Sequence, residues 1–327
     1  MGMAIIGCGS AAPEAVLTNQ HLSQIVETSD EWIGTRTGMK QRRVGSATES
    51  LSQLSAKAAQ GAIAMAGIAP TDIDLIILAT STPDDLFGSA VKVQHLVGAT
   101  RAVAFDLTAA CSGFVFALIT AAQYIRTGMH KNVVVIGADM LSRWVDWSDR
   151  TTCVLFGDGA GAVVCQGIEQ GDRLLASGMY SNGTQNNCLN LKYQGKSKYL
   201  TEDITAQSGA YQTVTMNGKE VYRFAVARVP EVLEKAMFSA GLTNEDVDWL
   251  LLHQANQRIM DAVAKRLKIP KDKILSNIAK YGNTSAASIP LALDEAVRSG
   301  KVKPGHKIAA SGFGAGLTWS AAIFEWG

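Results

Sequence analysis

One cysteine stands in a run of small residues, Asp106-Leu107-Thr108-Ala109-Ala110-Cys111-Ser112-Gly113-Phe114, which opens an apolar stretch reaching to about Tyr124. At the first turn of a helix a thiol faces the positive end of the helix dipole and unpaired backbone N–H groups, so its pKa is lowered and the thiolate is favoured. The chemistry on offer is nucleophilic, through a covalent intermediate on Cys111. A lone cysteine is more often a buried structural residue, and Cys8, Cys153, Cys165 and Cys188, which lack this setting, are read that way. Two more reactive side chains stand where other elements end. His253 follows Leu250-Leu251-Leu252, where a hydrogen-bonded core histidine is as natural as a catalyst. Asn283 lies in Tyr281-Gly282-Asn283-Thr284-Ser285, where by itself it would serve as a helix N-cap.

The elements that must carry these residues repeat. The stretch Ala66–Leu78 resembles Ala240–Leu252 at an offset of 174, Gly67 falling on Gly241, and near the same spacing the strand candidate Asn132–Gly137 is set against Lys307–Gly312. Each half reads as an amphipathic helix (Ser50–Ala66; Glu220–Ala240), a buried strand (Leu75–Ala79; Trp249–His253), a small-residue helix and a further strand, with Gly67 and Gly241 as C-caps. Continuous apolar strands alternating with helices imply an α/β protein with mainly parallel sheets covered on both faces. Two similar βα halves follow, residues 1–171 with Cys111 and residues 172–327 with His253 and Asn283. Ligands of such sheets collect at the carboxyl ends of the strands. Cys111 after Ala102–Leu107, His253 after Trp249–Leu252 and Asn283 before the helix Ala286–Val297 all stand at such places. The offset carries Cys111 to position 285, two residues from Asn283, and carries His253 back to Ala79. The halves are thus alike in shape and different in chemistry, as a single shared site requires. Between them Tyr180–Gln212, rich in Gly, Ser, Asn, Gln and Lys, reads as loop.

Composition narrows the partners. Thirty basic and twenty-nine acidic side chains give a net charge of +1, so no global field is available for nucleic acid or an anionic membrane. Charged residues make up 18%, below the usual quarter or so, which points to surface buried inside the chain or in an oligomer. Five cysteines without metal-ligand spacing, no basic leader and no long apolar run imply a reduced, soluble, cytoplasmic protein without a metal site. Gly7-Cys8-Gly9-Ser10-Ala11-Ala12 fits a dinucleotide fingerprint, but Pro13 interrupts the helix that must follow. Gly157–Gly161 lacks the Lys-Ser/Thr of a phosphate loop and reads as close packing.

The segments around Cys111, His253-Gln254-Ala255-Asn256 and Gly282-Asn283-Thr284-Ser285 resemble those of the thiolase superfamily. Within it they resemble the β-ketoacyl-acyl carrier protein synthase III family, which initiates bacterial type II fatty acid synthesis. Asp30-Glu31-Trp32-Ile33-Gly34-Thr35-Arg36-Thr37-Gly38 and Phe156-Gly157-Asp158-Gly159-Ala160-Gly161 match further signatures, and the likeness runs from Ile5–Gly7 to Gly312–Gly314. The family commonly has glycine where Ala315 stands. The resemblance implies a thiolase-like fold in α-β-α-β-α layers and a homodimeric, cytoplasmic acyltransferase. Its reaction would be the decarboxylative condensation of a short acyl-CoA, acetyl-CoA first, with malonyl-acyl carrier protein. No cofactor is implied, the CoA thioester being a substrate.

That likeness also distributes roles. Cys111 would carry the acyl group, and His253 and Asn283 would donate hydrogen bonds to the enolate formed on loss of CO2. The backbone N–H groups of Cys111 and Gly314 would form a second oxyanion hole, the glycines of Gly312-Phe313-Gly314-Ala315-Gly316 letting the chain approach closely. Thr28, Trp32, Arg36, Arg150, Gly218 and Asn256 would hold CoA, an indole and a guanidinium sandwiching its adenine. Phe87, Leu141 and Phe156 would shape the acyl pocket, Phe87 reaching across a dimer to floor the partner's pocket. The helix Ala255–Lys268 turns Ile259, Val263 and Leu267 inward. Its Arg258, Lys265 and Arg266, with Arg223, would receive the acidic carrier protein or form a merely solvated face. A non-decarboxylating acyltransferase, a polyketide-type starter synthase and a catalytically silent partner subunit are the rival readings. The intact Cys111, His253 and Asn283 set weighs against the last.

Overall fold

The computed structural model describes all 327 residues. The strand Leu75–Ala79 shows why its apolar run is unbroken. Leu75, Ile77 and Ala79 face one cluster, with Phe114, Leu118, Ile289 and Leu293, while Ile76 and Leu78 face another, with Leu51, Leu54 and Ile63. A strand alternates its side chains between faces, so two buried faces demand hydrophobic residues throughout. The first sheet runs in the order Gly2–Ala11, Asp158–Ile168, Asn132–Met140, Leu75–Ala79, Val103–Leu107. Four of these strands share one direction, Asp158–Ile168 opposing them. The second sheet runs Trp249–Leu252, Lys307–Gly314, Thr318–Glu325, Leu174–Ser181, with Thr318–Glu325 reversed.

Two helices, Gly113–Arg126 and Ser288–Arg298, pack between the sheets. Leu51–Ala66 and Ala90–Val97 cover the outer face of the first sheet, and Gly218–Ser239 and Gln257–Leu267 that of the second. Five layers, α-β-α-β-α, result. Truncating Leu118 or Leu293, both fully buried in the central layer, would cost about 2–5 kcal/mol. Gly67 and Gly241 adopt φ 67° and 69° with open space where a Cβ would lie, so backbone conformation alone selects glycine at these helix ends. No helix is long and apolar enough to cross a membrane.

Two sequence readings need correction. Trp249 stands 174 positions after Leu75, but Ser288 and Lys307 stand 175 after Gly113 and Asn132, so the second copy holds one extra residue ahead of its central helix. The Tyr180–Gln212 stretch is not simply loop: Tyr193–Tyr199 and Thr205–Tyr211 form an antiparallel hairpin, and Leu189–Asn190 pairs with Thr215–Met216. The hairpin is almost wholly exposed, so it carries no apolar face to betray it. Its ladder and the Tyr193–Tyr211 ring pair, 5.7 Å apart, hold it instead.

Candidate active site

The two central helices begin close together, and each begins with a strained residue. Ala110 (φ 47°) leads into the tight turn Ala110–Ser112 before Gly113–Arg126, and Ser285 (φ 52°) opens the turn Ser285–Ala287 before Ser288–Arg298. Ser285 donates its hydroxyl to Cys111 Sγ at 3.3 Å. On the other side lies Gly314, where an added Cβ would come within 2.8 Å of the Cys111 nitrogen and 3.2 Å of its sulfur. Only glycine fits there. Cys111 is 6% exposed, and this burial reverses the sequence-based expectation of a lowered pKa. Desolvation pushes the thiol up to about 12, with the Asp139 carboxylate adding to the rise and the Ser285 hydrogen bond opposing it.

His253 ends the strand Trp249–Leu252, its backbone N–H donating to Ser311 O at 2.9 Å. Its Nδ1 lies 2.7 Å from Ser288 Oγ, which also accepts the Gln254 N–H. With the Ser288 hydroxyl assigned as the donor to Nδ1, the ring carries its proton on Nε2. Burial pulls the His253 pKa down to about 3, so the ring is neutral at ordinary pH. Phe313 packs edge-on against it, centroids 5.2 Å apart.

Asn283 is fixed at both ends. Its backbone bridges to Leu155 O and Gly157 N, each at 2.9 Å, and its Oδ1 accepts the Ser285 N–H at 2.9 Å. A backbone N–H can only donate, so the oxygen is identified and the NH2 is left without a protein partner.

Cys111, His253 and Asn283 line one cavity of about 1020 Å³, together with Phe156, Phe313 and Gly314. The same cavity is lined by Trp32, Arg36, Gly218, Asn256, Arg223 and Arg258. Asn256 caps the helix Gln257–Leu267 through Arg258 N–H and donates to Arg36 O at 3.1 Å. Both guanidinium carbons lie over the Trp32 ring, Arg36 at 4.7 Å and Arg150 at 5.2 Å. A purine stacked between indole and guanidinium would have to displace one of them. Arg150 itself donates to Glu27 O, and neither it nor Thr28, whose hydroxyl is buried without a partner, lines the cavity.

The structure separates other residues expected together. Leu141 is buried and does not line the cavity. Phe87 is fully exposed in the single chain and lines nothing of its own subunit's cavity. Arg223 pairs with Glu220 at 2.8 Å and Arg258 lies over Tyr222, both at the cavity. Arg266 instead donates to Ala227 O and borders a separate shallow depression with Phe238, while Lys265 is exposed. Ser285, Ser288 and Asp139 were not singled out from sequence. Only Ser285 had a signal, as the position onto which the repeat carries Cys111.

The glycine-rich runs are packing devices. A Cβ at Gly7 or Gly9 would lie 2.4 or 2.3 Å from carbonyls of the helix Leu51–Ala66, and one at Gly161 would lie 2.6 Å from Leu291 N. Of the remaining cysteines, Cys8, Cys153 and Cys165 are buried with thiols pushed up by desolvation, while Cys188 is partly exposed.

Residues 105–183 match the family described as 3-oxoacyl-(acyl-carrier-protein) synthase III, and residues 237–326 match its C-terminal part. A β-ketoacyl-(acyl-carrier-protein) synthase III of Trichormus variabilis is 67% identical over 327 residues, all of this chain and 99% of that one. The crystal structure of 3-oxoacyl-(acyl-carrier-protein) synthase III from Aquifex aeolicus VF5 superposes with a TM-score of 0.91 at 45% identity, covering 99% of this chain and 100% of that one. A priming β-ketosynthase of the R1128 polyketide pathway superposes at 0.89 with 33% identity, over 99% of this chain and 96% of the other. With essentially the whole chain covered at such identity, it belongs to the β-ketoacyl-acyl carrier protein synthase III family.

Proposed function

We propose that the protein condenses a short acyl-CoA, acetyl-CoA first, with malonyl-acyl carrier protein, releasing CoA and CO2. The observation that carries this reading is a buried thiol sharing one cavity with two uncharged donors, the His253 Nε2–H and the Asn283 NH2. Cys111 attacks the thioester carbonyl, the Cys111 and Gly314 backbone N–H groups receive the oxyanion, and CoA departs. Malonyl thioester then occupies the cavity. Loss of CO2 leaves an enolate, which two neutral donors stabilise without the tight ion pair that a cation would form. The enolate carbon attacks the acyl group on Cys111. Trp32, Arg36 and Arg150 grip the nucleotide end of CoA, with Thr28 beside them, and Gly218 and Asn256 flank the pantetheine arm. Arg223 and Arg258, with Lys265 and Arg266 further along, receive the carrier protein. The exposed Leu86 and Phe87 fit a homodimer in which Phe87 closes the partner's acyl pocket. No cofactor enters this scheme, and a cytoplasmic setting belongs to the same reading.

The test is an incubation of the protein with acetyl-CoA and malonyl-acyl carrier protein, following CO2, free CoA and 3-ketoacyl product. Acylation of Cys111 without CO2 release would favour a plain acyltransferase, and preference for a longer primer would favour a polyketide starter synthase like the R1128 neighbour.

A further inference from the structure

Arg42, in the short strand Gln41–Arg43, is a guanidinium at 0% exposure whose hydrogen-bond partners are all neutral. It donates to Asn19 Oδ1 at 2.7 Å, to Val154 O and, at a looser 3.4 Å, to Leu17 O, while its Nε–H has no partner. Burial draws its pKa down to about 10, so the side chain stays a cation at ordinary pH. A buried charge without a counter-ion is costly unless the dipoles around it are fixed. Asn19 is itself held, donating through Nδ2 to Asp30 Oδ1 at 2.8 Å and to Met39 O at 2.9 Å. One arm of the guanidinium thus rests on a fixed post, and the other grips the Val154 carbonyl.

Val154 opens the segment Val154–Gly157 that carries the backbone clamp on Asn283. Leu155 O accepts the Asn283 N–H and Asn283 O accepts the Gly157 N–H, a bridge centred on Phe156. The stem of Arg42 packs on the same clamp: a Cβ on Gly157 would lie 3.0 Å from Arg42 Cβ, and one on Gly282 would lie 3.3 Å from it. Arg42 therefore meets the clamp at Val154 O, at Gly157 and at Gly282, the two glycines being chain neighbours of the bridged Phe156 and Asn283. We infer that Arg42 is the positioning residue of Asn283: by seating the clamp it fixes where the Asn283 NH2 points, and so supports loss of CO2 and not the acylation of Cys111. The inference deepens the proposed function and rests on its reading of Asn283 as an enolate donor. The groups that serve acylation stand on other supports. Cys111 lies in the turn Ala110–Ser112 and Gly314 ends the strand Lys307–Gly314, and Arg42 hydrogen-bonds to neither element. His253, the other donor, is held by Ser311 and Ser288, again without Arg42.

Arg42→Met keeps an unbranched stem and removes both grips, whereas Arg42→Lys keeps the charge but not the fork that spans two acceptors. Each is made in the parent and in an Asn283→Ala background. Acetyl transfer from acetyl-CoA to the Cys111 peptide is followed by mass spectrometry. Release of CO2 from malonyl-acyl carrier protein is followed on pre-acylated enzyme, with kcat and KM separated and rates expressed per acylated site. A small misplacement at a reacting centre costs up to about 10²-fold, so Arg42→Met should lower kcat for CO2 release about 10- to 10²-fold, and Arg42→Lys less. KM and acylation should stay within about twofold of the parent, and so should the further effect of Arg42→Met once Asn283 is already alanine. Losses that multiply in the double variant, or acylation that falls in step with CO2 release, would overturn the inference, since a merely structural Arg42 predicts both. Should Arg42→Met fail to fold, Arg42→Lys decides alone. Failure of both to fold would also overturn the inference, making Arg42 a residue of the fold and not of the site. A parent that releases no CO2, or is acylated elsewhere than Cys111, defeats the functional reading itself before any Arg42 variant is compared.

Discussion

Exchanging Asn283 for Asp and for Ala separates its chemistry from its structural duty. In the native chain Oδ1 accepts the Ser285 N–H at 2.9 Å and the NH2 faces the cavity. Asn283→Asp keeps the first contact and replaces the donor with an oxygen that repels the enolate. Loss of one preorganised donor is worth about 2.7–4 kcal/mol, a factor of about 10²–10³ in rate, and the added repulsion makes the Asp variant slower still. Asn283→Ala loses the same donor, but its smaller side chain leaves room for a water to substitute. It also strips the acceptor from a buried Ser285 N–H, costing about 1–3 kcal/mol of stability. The expected orders are therefore opposed: Ala melts lower and Asp turns over more slowly. Decarboxylation is read as CO2 release from malonyl-acyl carrier protein on pre-acylated enzyme, acylation as acetyl mass on the Cys111 peptide, and stability as thermal midpoint. Asp as fast as Ala, or acylation impaired as severely as decarboxylation, would mean that Asn283 serves as a cap and the donor reasoning is wrong.

Gly314→Ala should abolish acylation, because its Cβ would meet the Cys111 nitrogen at 2.8 Å and cannot be relieved by a flexible side chain; peptide mass spectrometry after acetyl-CoA treatment checks this. Unfolded His253 binds a proton below pH 6.5 while the native ring resists until about pH 3, so His253's contribution is complete above pH 6.5 and is lost at about 1.4 kcal/mol per unit as pH falls through that window. Denaturant titrations of parent and His253→Gln should differ in slope there. Charge reversal at Arg258 should raise KM for malonyl-acyl carrier protein and flatten its salt dependence more than the same change at Arg266, which borders a different depression. Phe87→Ala should improve butyryl-CoA relative to acetyl-CoA if the exposed ring floors a partner's pocket, and uniform loss across primers would leave it only an interface role.

The strands were legible because both faces of each sheet are buried: Leu75–Ala79 and Trp249–Leu252 could hardly be read as anything else. Cys111, His253 and Asn283 were legible through their neighbours, each at the end of an element, and the structure gathers them around one cavity. What escaped was set by contacts distant in sequence. Ser288 acts on His253 from 35 positions away, and Asp139 reaches Ala286 across 147. The sign of the Cys111 shift is misread for a related reason: a helix start is visible in sequence, whereas burial of the thiol is a property of two halves packed together. The hairpin Tyr193–Tyr211 failed the opposite way, since nothing buries it and its pattern is therefore silent.

The meeting of the two central helices has a consequence for the life of the chain before it is folded. Neither half contains a working centre: one supplies the sulfur and the other supplies Ser285, His253, Asn283 and Gly314. On the proposed reading, a chain carrying only its first 171 residues would hold the thiol but lack the Gly314 N–H and the His253 and Asn283 donors. If Cys111 carries the acyl group as proposed, acetyl uptake there would count molecules whose two halves have joined, a chemical clock for that last step of folding.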